Sequence, residues 1–192
     1  MGYDLVKSVE EADIVCWLGG EDINPKIYGE KPAGAYGWSD ARDLEDFNIF
    51  QQAGRRFKIG ICRGAQFLNC VPPNNGRLWQ DVDMHNGHDH PVTDYITGEE
   101  LMVNSLHHQQ LRLSNKGELV AGCNLSREKN AYSAYWSFSD IESGKSEEDV
   151  DVEVAWYPGS RSLCFQPHPE FDPEGPTGKY FESLLNRYYH AA

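Results

Sequence analysis

The sequence is short of positive charge. Its 192 residues hold 17 Lys and Arg against 30 Asp and Glu, a formal net charge of −13 at pH 7. So acidic a surface repels phosphate backbones, and nucleic acid is not expected as a direct partner. Cysteine is sparse and dispersed. Cys16, Cys62, Cys70, Cys123 and Cys164 form no C-x-x-C pair and are odd in number. A disulfide scaffold or zinc ribbon is therefore not expected, and reduced thiols in a cytoplasm are. Long apolar runs are missing, since none approaches the roughly 20 residues that cross a bilayer. The opening Met1-Gly2-Tyr3-Asp4-Leu5-Val6 lacks a basic start followed by an apolar stretch, so a cytoplasmic protein without a secretory leader is expected.

What is present suits a folded domain. The hydrophobic fraction is 40% and the aromatic fraction 12%, and the length fits one domain over 1–192 with a core that needs no staples. Short apolar runs alternate with helix-like segments. Asp13 to Leu18 reads as a buried strand ending at Gly19-Gly20, and Phe57 to Ile61 as a second. Ser39 is placed to cap a helix running to about Arg55, with Leu44, Phe47, Phe50 and Ala53 on its apolar face. Gly64 to Asn69 reads as helix and Pro72 to Gly76 as loop. Short strands are expected at Glu100 to Val103 and Gln110 to Leu113. A surface loop is expected over Asp140 to Asp151. Val150 to Trp156 and Ser162 to Gln166 read as a hairpin turning at Pro158-Gly159-Ser160. A closing helix over Thr177 to Tyr189 places Tyr180, Leu184 and Tyr188 on one face. This alternation predicts an α/β sheet with helices on both faces.

The sharpest chemical signal is Gly60-Ile61-Cys62-Arg63-Gly64. A strand ends, a tight turn follows and a helix begins. Glycines flank the cysteine because side chains there would crowd the turn. A helix N-terminus beneath the thiol favours thiolate. The Arg63 backbone N–H and the Gly19-Gly20 turn, through Gly20, are candidate oxyanion donors. Taken alone, the same residues also describe a structural cysteine between loop glycines. Cys16, Cys70 and Cys123 lack this context and read as small apolar residues.

The second signal is Phe165-Gln166-Pro167-His168-Pro169-Glu170. A thiol nucleophile needs a base that later protonates a leaving amine, and an imidazole serves when a carboxylate orients it. In an extended segment His168 and Glu170 point to the same side, and Pro167 and Pro169 keep the segment extended. A surface turn with incidental charge is the plainer reading of this stretch by itself.

Together, Gly60-Ile61-Cys62-Arg63-Gly64-Ala65-Gln66 and the later Pro167-His168-Pro169-Glu170 resemble class I glutamine amidotransferases. The closest resemblance is to stand-alone peptidase C26-like hydrolases of the γ-glutamyl-GABA hydrolase kind. Gly19 to Pro25 with Tyr28-Gly29-Glu30, Arg42-Asp43, and Asn104-Ser105-Leu106-His107-His108-Gln109 extend the resemblance over nearly the whole chain. It implies a flavodoxin-like, doubly wound, mostly parallel sheet and a Cys62-His168-Glu170 triad. It also implies an acyl-enzyme route for a glutamine or γ-glutamyl amide substrate, with no cofactor or metal. Gln66, His107 and His108 would line the glutamyl pocket. Without the family, Gln66 reads equally well as a helix-surface residue and the histidines as structural. The family's sheet contains a strand, followed by a helix, ahead of the segment that opens this chain, so that first strand is expected to be missing here. Pro72 to Gly76 replaces the family's short Gly-Gly loop, and the acidic stretch from Asp140 differs from its usual turn.

Other readings compete. His85, His88, Asp89 and His90 are dense enough to suggest zinc, although the resemblance makes them loop residues near the site. A glutaminase subunit passing ammonia to a separate synthetase partner would carry the same triad and fold. A silent binding protein would keep the fold without the chemistry. An α/β-hydrolase is excluded by chain order, because here the acid follows the histidine. The intracellular-protease-like layout is excluded because Arg63, not histidine, follows the cysteine.

Overall fold

The computed structural model describes residues 3–132, 141–144 and 150–190. The first strand, β1 (Ile14–Trp17), lies parallel to β2 (Phe57–Ile61), with Ile14 opposite Phe57 and Trp17 opposite Gly60. Between them runs α1 (Asp40–Ala53). Ser39 caps it by accepting a hydrogen bond from the Arg42 N–H, and the chain leaves it through Gly54. Phe50 and Ala53 are buried as expected, whereas Leu44 is 62% exposed. The turn at Cys62 leads from β2 into α2 (Arg63–Cys70), every residue of which is buried.

The chain then builds β3 (Arg77–Trp79), β4 (Asp81–Val82), β5 (His90–Asp94), β6 (Glu100–Val103), β7 (Gln110–Arg112), β8 (Glu118–Cys123), β9 (Lys129–Tyr132) and β10 (Ile141–Gly144). The hairpin of β11 (Asp151–Tyr157) and β12 (Ser162–Phe165) returns it to the centre, and α3 (Pro176–Leu185) closes the fold. The main sheet runs β1-β2-β12-β11-β8-β5-β6, with β3 and β7 joined to β11. The three strands that carry the site, β1, β2 and β12, are parallel. From β12 outward the described pairings are antiparallel.

Helices cover both faces, as expected. One apolar layer joins Trp17, Phe50, Ala53, Phe67 and Leu68, under α1 and α2. The other joins Ile59, Ile61, Val154, Leu163, Phe165, Tyr180 and Leu184, under α3. The continuous burial of β2 and β12 follows from being covered on both sides.

Two expectations need correction. Ile141–Gly144, expected within a surface loop, forms β10 and pairs with β9 in a separate three-stranded sheet with β4. Its polar sequence is tolerated because the backbone ladder, not side-chain pattern, defines it. Residues 145–149 of that expected loop lie outside the described residues. The closing α-helix is also shorter, giving way at Asn186–His190 to a wider π-helical turn. Among the described residues no helix is long and apolar enough to cross a membrane.

Candidate active site

Cys62 sits at the end of β2 with φ +50° and ψ −110°, in the positive-φ region that non-glycine residues rarely enter. The turn is possible because its neighbours are bare. A Cβ on Gly60 would lie 2.3 Å from the Gly64 carbonyl oxygen, and one on Gly64 would lie 2.1 Å from the Trp17 carbonyl oxygen. The glycines thus let the elbow press against α2 on one side and β1 on the other, as the spacing predicts.

Arg63 anchors the elbow from below. Its guanidinium is buried and pairs with Asp43 at 2.6 Å and Asp46 at 2.5 Å, both on α1. The sequence suggested only its backbone N–H, which faces the Cys62 sulfur and favours thiolate. Burial is the larger influence. The Cys62 thiol is pushed up to about 12, with the Glu170, Asp22 and Glu153 charges adding to the rise. In the free protein the desolvation of a buried sulfur outweighs the pull of the turn.

His168 follows the last central strand and faces Cys62 across Gly19. The point where a Gly19 Cβ would stand is 3.0 Å from His168 Cε1 and 3.7 Å from Cys62 Cβ. A side chain at 19 would thus wedge between the two. His168 Nδ1 lies 2.7 Å from Glu170 Oε1. The ring stacks on Phe171, with centroids 4.8 Å apart and planes 13° apart. The His168 backbone is held at two points by one side chain. Asn104 Nδ2 donates to the His168 carbonyl at 2.7 Å, and the His168 N–H donates to Asn104 Oδ1 at 2.7 Å. Sequence reasoning gave no role to Asn104, Phe171 or Gly19. Asn104 stood only in a segment that carries the resemblance, Gly19 in a turn considered for its oxyanion donor, and Phe171 in no pattern at all.

The other predicted residues fall into different places. Gly20 has φ +152°, and a Cβ there would strike the Arg42 guanidinium, which binds Glu21 and the Gly19 carbonyl. Gln66 is buried rather than on a helix surface, and its amide donates to the Gln109 carbonyl at 3.5 Å. His107 and His108 part company. His108 Nε2 lies 3.0 Å from Asp22 Oδ1 and its ring stacks on Tyr36. That hydrogen bond raises the pKa of His108. His107 turns inward, with Nδ1 on the Gln109 carbonyl at 3.0 Å and Nε2 3.5 Å from Glu153 Oε2. The four residues suspected of binding zinc also separate, His85 and His90 being buried while His88 and Asp89 are exposed.

With a buried cysteine on a strained elbow and a carboxylate-oriented histidine opposite, the arrangement suits nucleophilic attack followed by proton return. Comparison with known proteins points the same way. The profile of the Peptidase C26 family matches residues 3–124. The glutamine amidotransferase-like protein YvdE of Lactococcus lactis subsp. lactis is 31% identical over 127 residues, covering 55% of this chain and 53% of that protein. The chain spans about half to two thirds of the length of the curated relatives it matches. Among solved structures, a glutamine amidotransferase from Thermotoga maritima superposes with a TM-score of 0.53 at 15% identity, covering 98% of this chain and 67% of that one. PurLQS from the same organism gives 0.51 at 15% identity, covering 91% and 98%. At such identity these two likenesses speak to the fold.

Proposed function

The chain belongs to the Peptidase C26 family, of class I glutamine amidotransferase-like proteins, and from that premise we propose that it hydrolyses a γ-glutamyl C–N amide bond through a Cys62 thioester. The carrying observation is that Cys62 and His168 both border Gly19, with Glu170 on His168 Nδ1.

In this reading Cys62 Sγ attacks the γ-carbonyl carbon as its proton passes to His168. The oxyanion is held by the Arg63 backbone N–H, with Gly20 as the second donor. The C–N bond breaks while His168 gives that proton to the leaving ammonia or amine. Water then attacks the thioester, its proton going to His168. The C–S bond breaks, glutamate leaves and the sulfur regains its proton. Glu170 fixes the ring tautomer, keeping hydrogen on Nδ1 so that Nε2 accepts from the thiol. Gln66 and His108 are assigned to the glutamyl group, with His107 behind them.

A thiol near 12 gives the base a definite task. Burial holds the proton on the sulfur, and His168 is the group placed to take it as attack proceeds. The test is glutamate release from glutamine and from a panel of γ-glutamyl amines, beside a Cys62→Ala control. Release from an amine that disappears in the control supports a stand-alone hydrolase. Release from glutamine alone redirects the reading to a glutaminase subunit serving a synthetase. No release from any of them, from a folded protein with or without a candidate synthetase, would sink the hydrolase reading and leave the silent binding protein.

A further inference from the structure

One strand away from the triad, four segments of chain bring soft and polar ligand atoms together, three of them buried and the fourth, Cys123, partly exposed. They are His85 in the loop after β4, His90 opening β5, Cys123 ending β8 and Glu153 in the middle of β11. One donor atom from each lies within 4.8 Å of all the others. His85 and Glu153 are fully buried and His90 is 4% exposed. None of this enters the proposed reaction, and local spacing announces only His85 and His90, because Cys123 and Glu153 lie far along the chain.

The placement of hydrogens makes the cluster informative. His90 Nδ1 sits 3.3 Å from the Pro91 carbonyl. A carbonyl only accepts, so Nδ1 carries the hydrogen and Nε2 presents a lone pair. That Nε2 faces Glu153 Oε1 at 3.8 Å and has no hydrogen-bond partner. His107 repeats the pattern, with its Nδ1 hydrogen on the Gln109 carbonyl and Nε2 turned to Glu153 Oε2 at 3.5 Å. His85 has Nδ1 3.3 Å from Glu153 Oε1 and Nε2 3.2 Å from Asp151 Oδ2, and neither approach is aligned as a hydrogen bond. Glu153 Oε1 does accept from the Gln110 amide at 3.3 Å, whereas Oε2 accepts nothing. Among the described residues the ion-pair partners of Glu153 are histidines alone. Lone pairs thus converge on a carboxylate in the interior, an arrangement that calls for a positive centre between them.

We propose that His85, His90, Cys123 and Glu153 form a closed binding site for one divalent transition-metal ion of the zinc class. Two imidazoles, a thiolate and a carboxylate are a borderline-soft set that suits a tetrahedral ion of this kind. The 3.3 Å separation from Glu153 Oε1 to His85 Nδ1 matches the O···N edge of such a tetrahedron, about 3.3–3.5 Å from the usual bond lengths, and the 3.8 Å separation to His90 Nε2 closes to it by a shift of a few tenths of an ångström. Outer contacts are also in place. Asp151 stands behind His85, and the Pro91 carbonyl behind His90. On binding, the Cys123 thiol loses its proton to solvent and its sulfur joins the ion. With all four positions filled by protein the ion is structural, fastening β5, β8 and β11 to the loop after β4.

The test uses the full chain, expressed with added zinc and passed through gel filtration. Elemental analysis should find about one zinc per chain, and Cys123→Ala should carry at least tenfold less. Cobalt(II) added to the metal-free protein should give the intense visible bands of a tetrahedral ion and a near-ultraviolet thiolate band. Cys123→Ala should lose the thiolate band while its circular dichroism stays native. Zinc should raise the melting temperature of the wild type and leave that of Cys123→Ala almost unmoved. If the wild type holds no zinc, shows no cobalt spectrum and melts alike with zinc or chelator, the proposal is overturned and the positive centre is a proton shared among the histidines. A wild type that binds cobalt but keeps its full spectrum in Cys123→Ala would overturn the ligand set.

Discussion

At the mouth of the sheet His168 meets Glu170 at 2.7 Å, and that glutamate is 43% exposed. One strand inward, His85, His90 and His107 surround Glu153, which is fully buried and aligned with none of them. The residue types are the same and the constructions are opposite. In the first pair one ring nitrogen is committed to a carboxylate that water can reach, which leaves the other nitrogen for chemistry. In the second group His90 and His107 are tied through Nδ1 and the carboxylate is sealed from water, so any change of charge is expensive. Exposure and alignment, more than composition, distinguish a place where protons move from a place where a cation is held.

That contrast can be attacked from the exposed side first. Cys62→Ala should lower glutamate release by about 10⁴-fold or more with an unchanged fold, measured by steady-state rates and circular dichroism. Retained activity would move the chemistry elsewhere. The pH profile of alkylation tests the resting state of the pair. A thiol raised to about 12 is protonated throughout the neutral range, so its thiolate fraction grows tenfold per pH unit below that value. Labelling of the Cys62 peptide by iodoacetamide should therefore rise about a thousandfold between pH 7 and pH 10. A plateau beginning below pH 8 would show that His168 already holds the proton in the free protein.

The orienting carboxylate comes next. Glu170→Gln keeps a side chain of the same length but loses the charge that stabilises an imidazolium, and kcat should fall about 10²-fold. An equal fall in Glu153→Gln would erase the distinction between the two regions, because Glu153 is expected to affect melting temperature and metal content far more than chemistry. The smallest effect is at Asn104, a positioning residue. Asn104→Ala should lower kcat about tenfold with KM little changed, since the clamp on the His168 backbone aligns the base without touching substrate. Asn104→Asp keeps the acceptor for the His168 N–H and loses the donor to its carbonyl, and should fall between the two.

The elbow was legible because its requirements are local. Gly60 and Gly64 have no room for a Cβ, and β2, α1 and the β11–β12 hairpin follow from apolar period and turn residues within a dozen positions. The antiparallel half was less so. The segment of β8, Glu118–Cys123, alternates weakly, and β10 is polar, so their pairing is settled by partners far along the chain. The same reason hid the buried cluster. His85 and His90 drew attention beside His88 and Asp89, but only the fold sends the first two inward and supplies Cys123 and Glu153. The parting of His107 from His108 was equally invisible, since neighbours on an irregular stretch follow no period that sequence reveals.

The clamp between Asn104 and His168 joins positions 64 residues apart, and this has a consequence in time. During synthesis the elbow can fold as soon as β1, β2 and α2 have emerged, but closure of a long loop must precede any contact with the base. A nascent or half-folded chain therefore displays a cysteine without its histidine. On the proposed function, the pairing of thiol and base waits until the strand that precedes His168 has docked.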